Sequence, residues 1–338
     1  MRIAYVCHWD LAAGDGVAKK IAAQSTAWRD AGHHVEVFAV APGTGRARAS
    51  RELARQVRRF APDLLYLRYD LFLPPVWALA RRFRTVVEVN SDDRAEFARR
   101  RGRAARAYNE LNRRVLLGRA DGLVFVTEEL ASSRSFAGFR QPRAFVANGV
   151  TLGPEAPAPS PAARPRALFL GSTGQPWHGV DKLAALAAAL PELDVDVVGY
   201  TAEELANAVS AVPANVRAHG RLAREGYEPL LRRADVGIGT LALHRKQMEQ
   251  AAPLKVREYL ESGLPVVIAY DDVDLRGVDA WWLLRLENRE GTFDAARVRA
   301  FVESVRGRRV PRAEVEPRIS WAAKERDRLA FLTTVAGA

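Results

Sequence analysis

Short runs of β-branched and other apolar residues alternate with longer helix-patterned stretches along the chain, and this alternation restricts the fold more than any other feature. Residues 2–7 form the first run. The loop Ala12-Ala13-Gly14-Asp15-Gly16 follows, and a helix predicted over 17–31 ends at Gly32-His33-His34 before the run at 35–40. Further runs lie at 64–68, 85–90, 122–126 and 144–147. Strands apolar on both faces need cover on both, and such strands joined through helices lie parallel. An α/β domain over 1–150 is therefore predicted. A second series, at 167–171, 195–199, 216–220, 236–239 and 265–269, predicts another over 167–316. Between them, residues 151–166 carry Pro154, Pro157, Pro159, Pro161 and Pro165 without apolar periodicity, which reads as a stiff linker. Residues 317–338 hold a last helix, predicted over 321–335 and expected to pack back on the first domain.

Length agrees with this division, since 338 residues fit two domains. A single cysteine, Cys7, excludes an intrachain disulfide and points to a reducing compartment. No apolar stretch approaches the roughly 18 residues of a membrane span, and the first residues lack a signal-peptide pattern, so a cytoplasmic protein that begins inside its fold is expected. The formal charge of +11 suits an anionic partner; equally, 45 of the 51 basic residues are arginine, as compositional bias on solvated faces would produce. Against that background the six lysines, Lys19, Lys20, Lys182, Lys246, Lys255 and Lys324, are informative. Residues 94–119 carry nine Arg against two Glu, interrupted by Phe97, Tyr108, Leu111 and Val115. Two readings stay open there: a solvated helix face, or a basic amphipathic helix on the anionic inner face of a membrane. No nucleic-acid module is recognisable, so nucleic acid is not an expected partner.

Three segments could carry chemistry. The loop Gly14-Asp15-Gly16 precedes the first helix, where backbone amides make an anion site, and it fits a simple tight turn as well. It lacks the G-x-G-x-x-G spacing of a dinucleotide site. The second, Gly171-Ser172-Thr173-Gly174 through His178-Gly179 to Lys182, follows a strand and opens a helix. Its glycines allow close backbone approach, while Ser172, Thr173, His178 and Lys182 add donors for phosphate oxygens. The densest is His244-Arg245-Lys246 followed by Pro253-Leu254-Lys255-Val256-Arg257-Glu258, a proline-started helix that stops at Gly263. Carboxylates near a strand's C-terminal edge take ribose hydroxyls and neighbouring cations neutralise phosphates, although Lys255 and Glu258 alone would also fit a surface ion pair. No His, Cys, Asp or Glu spacing suggests a metal site.

Ala31-Gly32-His33-His34-Val35, Asn148-Gly149-Val150, Gly171 to Lys182 and, most specifically, Pro253 to Val267 together resemble the GT-B glycosyltransferases of the retaining GT4 type, a group that includes many bacterial sugar transferases. The resemblance covers essentially the whole chain. It implies two Rossmann-like domains with parallel sheets facing each other, an N-terminal acceptor side and a C-terminal nucleotide-sugar side. It also implies metal-independent transfer of a sugar from a nucleoside diphosphate donor, with a uridine diphosphate sugar the commonest choice, to an acceptor hydroxyl with retention; no cofactor is implied. The resemblance leaves the acceptor open among a glycan, a lipid-linked sugar and a small molecule. Glu258 matches the second carboxylate of the family's E-x7-E motif, which binds the nucleotide ribose. Gln250, with Glu249 beside it, stands where the first carboxylate falls, and His178 stands where a lysine often precedes the glycine of the phosphate-binding turn.

On this reading Arg245, Lys246, Lys255, Gln250, Asn90 and Asp92 are the catalytic candidates. Gly14, Asp15, Gly16, Gly171, Ser172, Thr173, His178, Gly179, His244, Pro253, Leu254 and Glu258 are the donor-binding candidates. A nucleotide-sugar epimerase of the same fold and a non-catalytic basic surface-binding protein are the alternatives.

Overall fold

The computed structural model describes residues 1–13, 16–41, 43, 45–95, 102–159 and 162–337. They divide into two compact units, one of residues 1–149 with 321–338 and one of residues 150–320.

In the first unit the elements run β1 (Arg2–Cys7), α1 (Gly16–Asp30), β2 (His34–Ala39), α2 (Arg46–Phe60), β3 (Leu64–Arg68), α3 (Pro74–Ala80), β4 (Arg84–Val89), α4 (Arg103–Leu116), β5 (Gly122–Phe125), α5 (Glu128–Ser132) and β6 (Arg143–Phe145). Among the described residues the strands form one parallel sheet in the order β2-β1-β3-β4-β5-β6. Alternate residues of each strand point to opposite faces. Tyr5 and Val86 accordingly pack with Ile21 and Trp28 of α1, whereas Val6 and Val87 pack with Leu53 and Val57 of α2.

The C-terminal helix Trp321–Gly337 belongs to this unit, burying Leu332 and Val335 beside α1. Trp28 Nε1 donates to Glu325 at 2.7 Å, and Arg328 reaches Glu88 at 3.3 Å. Glu88 is fully buried, and burial alone would raise its carboxyl; Lys20 at 3.0 Å, Arg328 and Arg68 outweigh that and hold it well below the usual range.

The second unit runs β7 (Arg166–Leu170), α6 (Val180–Ala189), β8 (Asp194–Val198), α7 (Ala202–Ala208), β9 (Val216–Ala218), α8 (Arg224–Arg233), β10 (Val236–Ile238), β11 (Gln250–Ala251), α9 (Leu254–Glu261), β12 (Val266–Ile268), β13 (Asp271–Asp272), β14 (Leu283–Arg285), α10 (Ala295–Val305) and α11 (Arg312–Ile319). Its main sheet, also parallel, has the order β14-β12-β10-β7-β8-β9, and β11 pairs with β13 apart from it. This is the doubly wound order of dinucleotide-binding folds. Val315 and Ile319 of α11 are buried in this unit's core, and Gly153 N donates to Glu261 at 3.0 Å, so residues on both sides of the sheet's sequence are tied into it.

Strand order reverses between β1 and β3 in the first unit and between β7 and β10 in the second. In open parallel sheets the crevice beyond the strand C-termini at such a reversal is where ligands bind. Among the described residues no helix is long and apolar enough to cross a membrane.

Candidate functional site

At the reversal of the second unit, the loops leaving β7 and β10 are stapled together. Leu241 N donates to His178 O and Ala242 N to Trp177 O, both at 3.2 Å. Gly179 permits this approach. Its φ is +73°, and a Cβ there would lie 2.9 Å from Leu241 Cβ. Beyond, Leu243–Lys246 forms a 3₁₀ turn, and α9 starts after Pro253.

The two helix N-termini at this edge differ. At α6 the first-turn Asp181 carboxylate pairs with Arg245 at 2.8 and 2.7 Å, and Arg245 together with the neighbouring amides holds it below its ordinary range, so the helix end already has an anion beside it. Lys182 turns away, donating to the Arg289 carbonyl with its ammonium 4.1 Å from the Phe293 ring, and does not supply the phosphate donor expected of it. At α9, Pro253 supplies no capping side chain, and the first-turn amides of Leu254 and Lys255 have no protein acceptor among the described residues. That end remains available to an anion.

Lys255 is the second residue of α9. Its side chain runs back to β7, where the ammonium sits 4.5 Å from the Phe169 ring centroid. Buried, and with no hydrogen-bond partner for Nζ among the described residues, it is pushed down to about 7 by desolvation. His178 is close enough to feel it: burial, then the Lys255 and Lys246 charges, push its imidazole down to about 2, and Nδ1 is buried without a partner among the described residues. Lys246 lies 4.3 Å from the Trp177 ring. This side of the site gathers basic nitrogens and, among the described residues, no carboxylate that raises Lys255.

One turn along α9, Glu258 is half-buried and accepts a 2.5 Å hydrogen bond from Tyr227 OH, with Arg224 3.6 Å away. Both partners come from α8, 31 residues or more earlier, and no local spacing announced them. Arg245 is engaged by Asp181 and by Glu290 at 2.6 and 3.0 Å, and those carboxylates raise its already high pKa. His244 donates its backbone N to Asn288 at 2.8 Å, and its Nε2 lies 3.0 Å from Glu290. Ser172 Oγ donates to Gly171 O, Thr173 Oγ1 accepts from Arg221 at 3.2 Å, and Gln250 stands in β11. Gly171 packs tightly, since a Cβ there would meet Tyr200 at 2.6 Å.

The first unit's reversal holds a cleft of about 390 Å³ lined by His8, Trp9, Arg68, Asp70, Asn90 and Ser91 among others. His8 is buried, and its Nε2 has no partner among the described residues. Asn90 Oδ1 accepts from Lys20 at 2.7 Å, as Asn148 Oδ1 does at 2.9 Å. With its oxygen occupied, Asn90 keeps its NH2 for the cleft. Asp92 accepts from Ser135 Oγ at 2.9 and 2.8 Å. Gly14 and Asp15 lie outside the described residues; Gly16 opens α1. In the basic stretch, Arg113 is buried between Asp93 and the Ser135 carbonyl, so it is core rather than solvated face; Phe97 lies outside the described residues. Among the described residues no group of three or more His, Cys, Asp or Glu could hold a metal.

No family model and no curated protein matches the chain in sequence. Solved structures do match in fold. A sucrose-phosphate synthase from Thermosynechococcus elongatus superposes with a TM-score of 0.73 at 16% identity, covering 100% of both chains. HepE of Anabaena, solved in complex with UDP-glucose, gives 0.68 at 14% identity over 99% of this chain and 100% of its own. A glycosyltransferase from Rickettsia africae gives 0.67 at 11% identity over 99% and 98%. With two parallel six-stranded sheets, each reversing at its own crevice, the chain has the GT-B fold of glycosyltransferases.

Proposed function

We propose that this protein is a glycosyltransferase that moves a sugar from a nucleoside diphosphate sugar to an acceptor hydroxyl, with the donor held at the β7/β10 edge of the second unit. The observation that carries the reading is Lys255: a buried amine whose Nζ has no partner among the described residues, beside open helix amides, is a place where an anion would restore the charge that burial disfavours. A diphosphate fits, because Lys255, the α9 amides and Nδ1 of His178 would bear on its oxygens and stabilise the charge that develops as it departs. Glu258, oriented by Tyr227, accepts from the ribose hydroxyls. Arg245 acts at one remove, holding Asp181 and Glu290 and so the 3₁₀ turn that presents Lys246.

Uridine diphosphate is the base we favour, in keeping with the UDP-glucose held by HepE. Transfer proceeds with retention: the bond from the anomeric carbon to the diphosphate oxygen breaks, the acceptor oxygen bonds on the same face, and its proton passes to the departing phosphate. The first unit's cleft, with Asn90 as a donor, takes the acceptor.

A thermal-shift panel of uridine, guanosine, adenosine and thymidine diphosphates and their sugars tests the donor site, because a ligand that binds only the folded state raises apparent stability. One nucleotide should raise the melting temperature of the wild type and not of Glu258→Ala. If none does, the donor assignment falls.

A further inference from the structure

A basic groove lies in the first unit, at the N-terminal edge of its sheet and therefore at the other end of the strands from the His8 cleft. The turn from α3 into β4 brings Arg81, Arg82, Phe83 and Arg84 together with Arg119 and Asp121 from the turn between α4 and β5, around a groove of about 490 Å³. We infer that this groove binds a phosphate-bearing anion larger than a single phosphate, a diphosphate or a phosphorylated headgroup, through the Arg81, Arg82 and Arg119 guanidiniums.

The groove carries four guanidiniums and one carboxylate. That carboxylate is already engaged, Asp121 taking Arg84 at 2.9 Å and the Thr85 amide at 2.8 Å, and so it fixes the turn rather than neutralising the rest. The side chains of Arg81, Arg82 and Arg119 are exposed and have no acceptor among the described residues. Cations are favoured at helix C-termini, and α3 ends here. Yet none of the three donates to a helix carbonyl, as Arg143 does to the Ala131 carbonyl at 2.9 Å, so they are not spent as caps. Arg82 lies over the Phe83 ring at 5.7 Å, which holds its planar fork at the groove wall. A guanidinium fork pairs bidentately with carboxylate or phosphate oxygens, and three such charges around one groove favour the more highly charged phosphate anion.

Calorimetric titration with pyrophosphate tests the assignment in the full chain. The triple variant Arg81→Gln, Arg82→Gln, Arg119→Gln should bind about tenfold or more weakly at the groove, leaving the binding that Lys255→Ala removes. The control Arg48→Gln, Arg51→Gln, Arg58→Gln removes the same charge from exposed positions of α2 and should bind as wild type. All six side chains are exposed, so both variants should melt with the wild type. Lys255→Ala separates the groove from the donor site of the second unit: if pyrophosphate binding disappears there and survives in the groove triple, the groove assignment falls while the donor reading stands. Sedimentation with phosphatidylcholine vesicles, with and without phosphatidylglycerol, identifies the source. Vesicle binding lost in the groove triple alone assigns a lipid headgroup; pyrophosphate binding without vesicle binding assigns a soluble phosphate. Equal weakening in both triples, or wild-type protein that binds neither probe, overturns the inference.

Discussion

Binding of a nucleotide sugar should draw a proton from solution, and Lys255 should supply the place for it. In the free protein burial pushes this amine down to about 7, so at pH 7 it is about half protonated. A diphosphate beside Nζ favours the charged form, because an opposite charge within hydrogen-bonding reach opposes the lowering by burial and moves the amine back above 7. Uptake at pH 7 is then about half a proton per ligand, and affinity falls about tenfold between pH 6 and pH 8. UDP-glucose is the ligand to use, since its doubly esterified diphosphate has no group that titrates in this range. Titration calorimetry in two buffers of different ionisation enthalpy reads the uptake as the slope of the observed enthalpy. His178 titrates far lower, and Lys246 lies 4.3 Å from Trp177; neither removes the contrast with Lys255→Met, which should bind more weakly and without the slope. The sign for stability is opposite. A lysine lowered by burial destabilises the free fold while the unfolded chain holds the proton, so free-protein stability should rise as pH climbs from about 7 toward 10. Lys255→Met should accordingly melt higher than wild type at pH 7, by up to about 5 kcal/mol in unfolding free energy. No uptake in the wild type, or equal uptake in Lys255→Met, refutes the argument.

Other outcomes follow from the same geometry. Glu258→Gln keeps the Tyr227 contact but removes the charge, and should weaken nucleotide-sugar affinity by about tenfold, read by calorimetry, with the melting temperature unchanged. Gly179→Ala places a methyl 2.9 Å from Leu241 Cβ at a left-handed φ; a loss of about 2 kcal/mol or more in urea unfolding is expected, together with weaker donor binding as the two loops separate. Lys20→Met leaves Glu88 with Arg328 and Arg68 only, and should cost about 3 kcal/mol at pH 7. Because the Glu88 carboxyl is held low in the fold, the stability it contributes is present above its unfolded range near pH 4.5 and is lost as pH falls below it, which acid unfolding of wild type and variant would compare.

The sheets were legible because strands covered on both faces must be apolar throughout, as in Val86-Val87 and Val266-Val267-Ile268, and nothing but parallel strands under two helical layers uses such runs repeatedly. The helix of Lys255 and Glu258 was legible for a local reason also, since Pro253 starts it and Gly263 stops it. What spacing cannot encode is who arrives from elsewhere. His178-Gly179 reads as a phosphate turn, yet Asp181 puts its own carboxylate in the first turn of that helix, and the open end is the one that begins with proline. Tyr227 reaches Glu258 from α8, and Phe169 reaches Lys255 from β7; both partnerships are long-range and leave no periodic trace.

Arginine and lysine divide the work of this basic chain on physical grounds. A guanidinium stays charged at every accessible pH, so one that is buried needs fixed carboxylates: Arg257 has Asp272 and Asp274, Arg328 has Glu88 and Glu325, Arg113 has Asp93. Such residues are structural ties, neutralised by the carboxylates that hold them. Lysine can shed its proton when buried. Lys20 keeps Glu88 as a permanent counter-charge and is lowered only to about 8, whereas Lys255 has none and falls to about 7. An arginine at 255 would hold an uncompensated charge in the core until ligand arrived. A lysine there waits partly neutral and, on the proposed donor site, would gain its charge with the anion, so the residue type at this position suits a counter-ion that comes and goes.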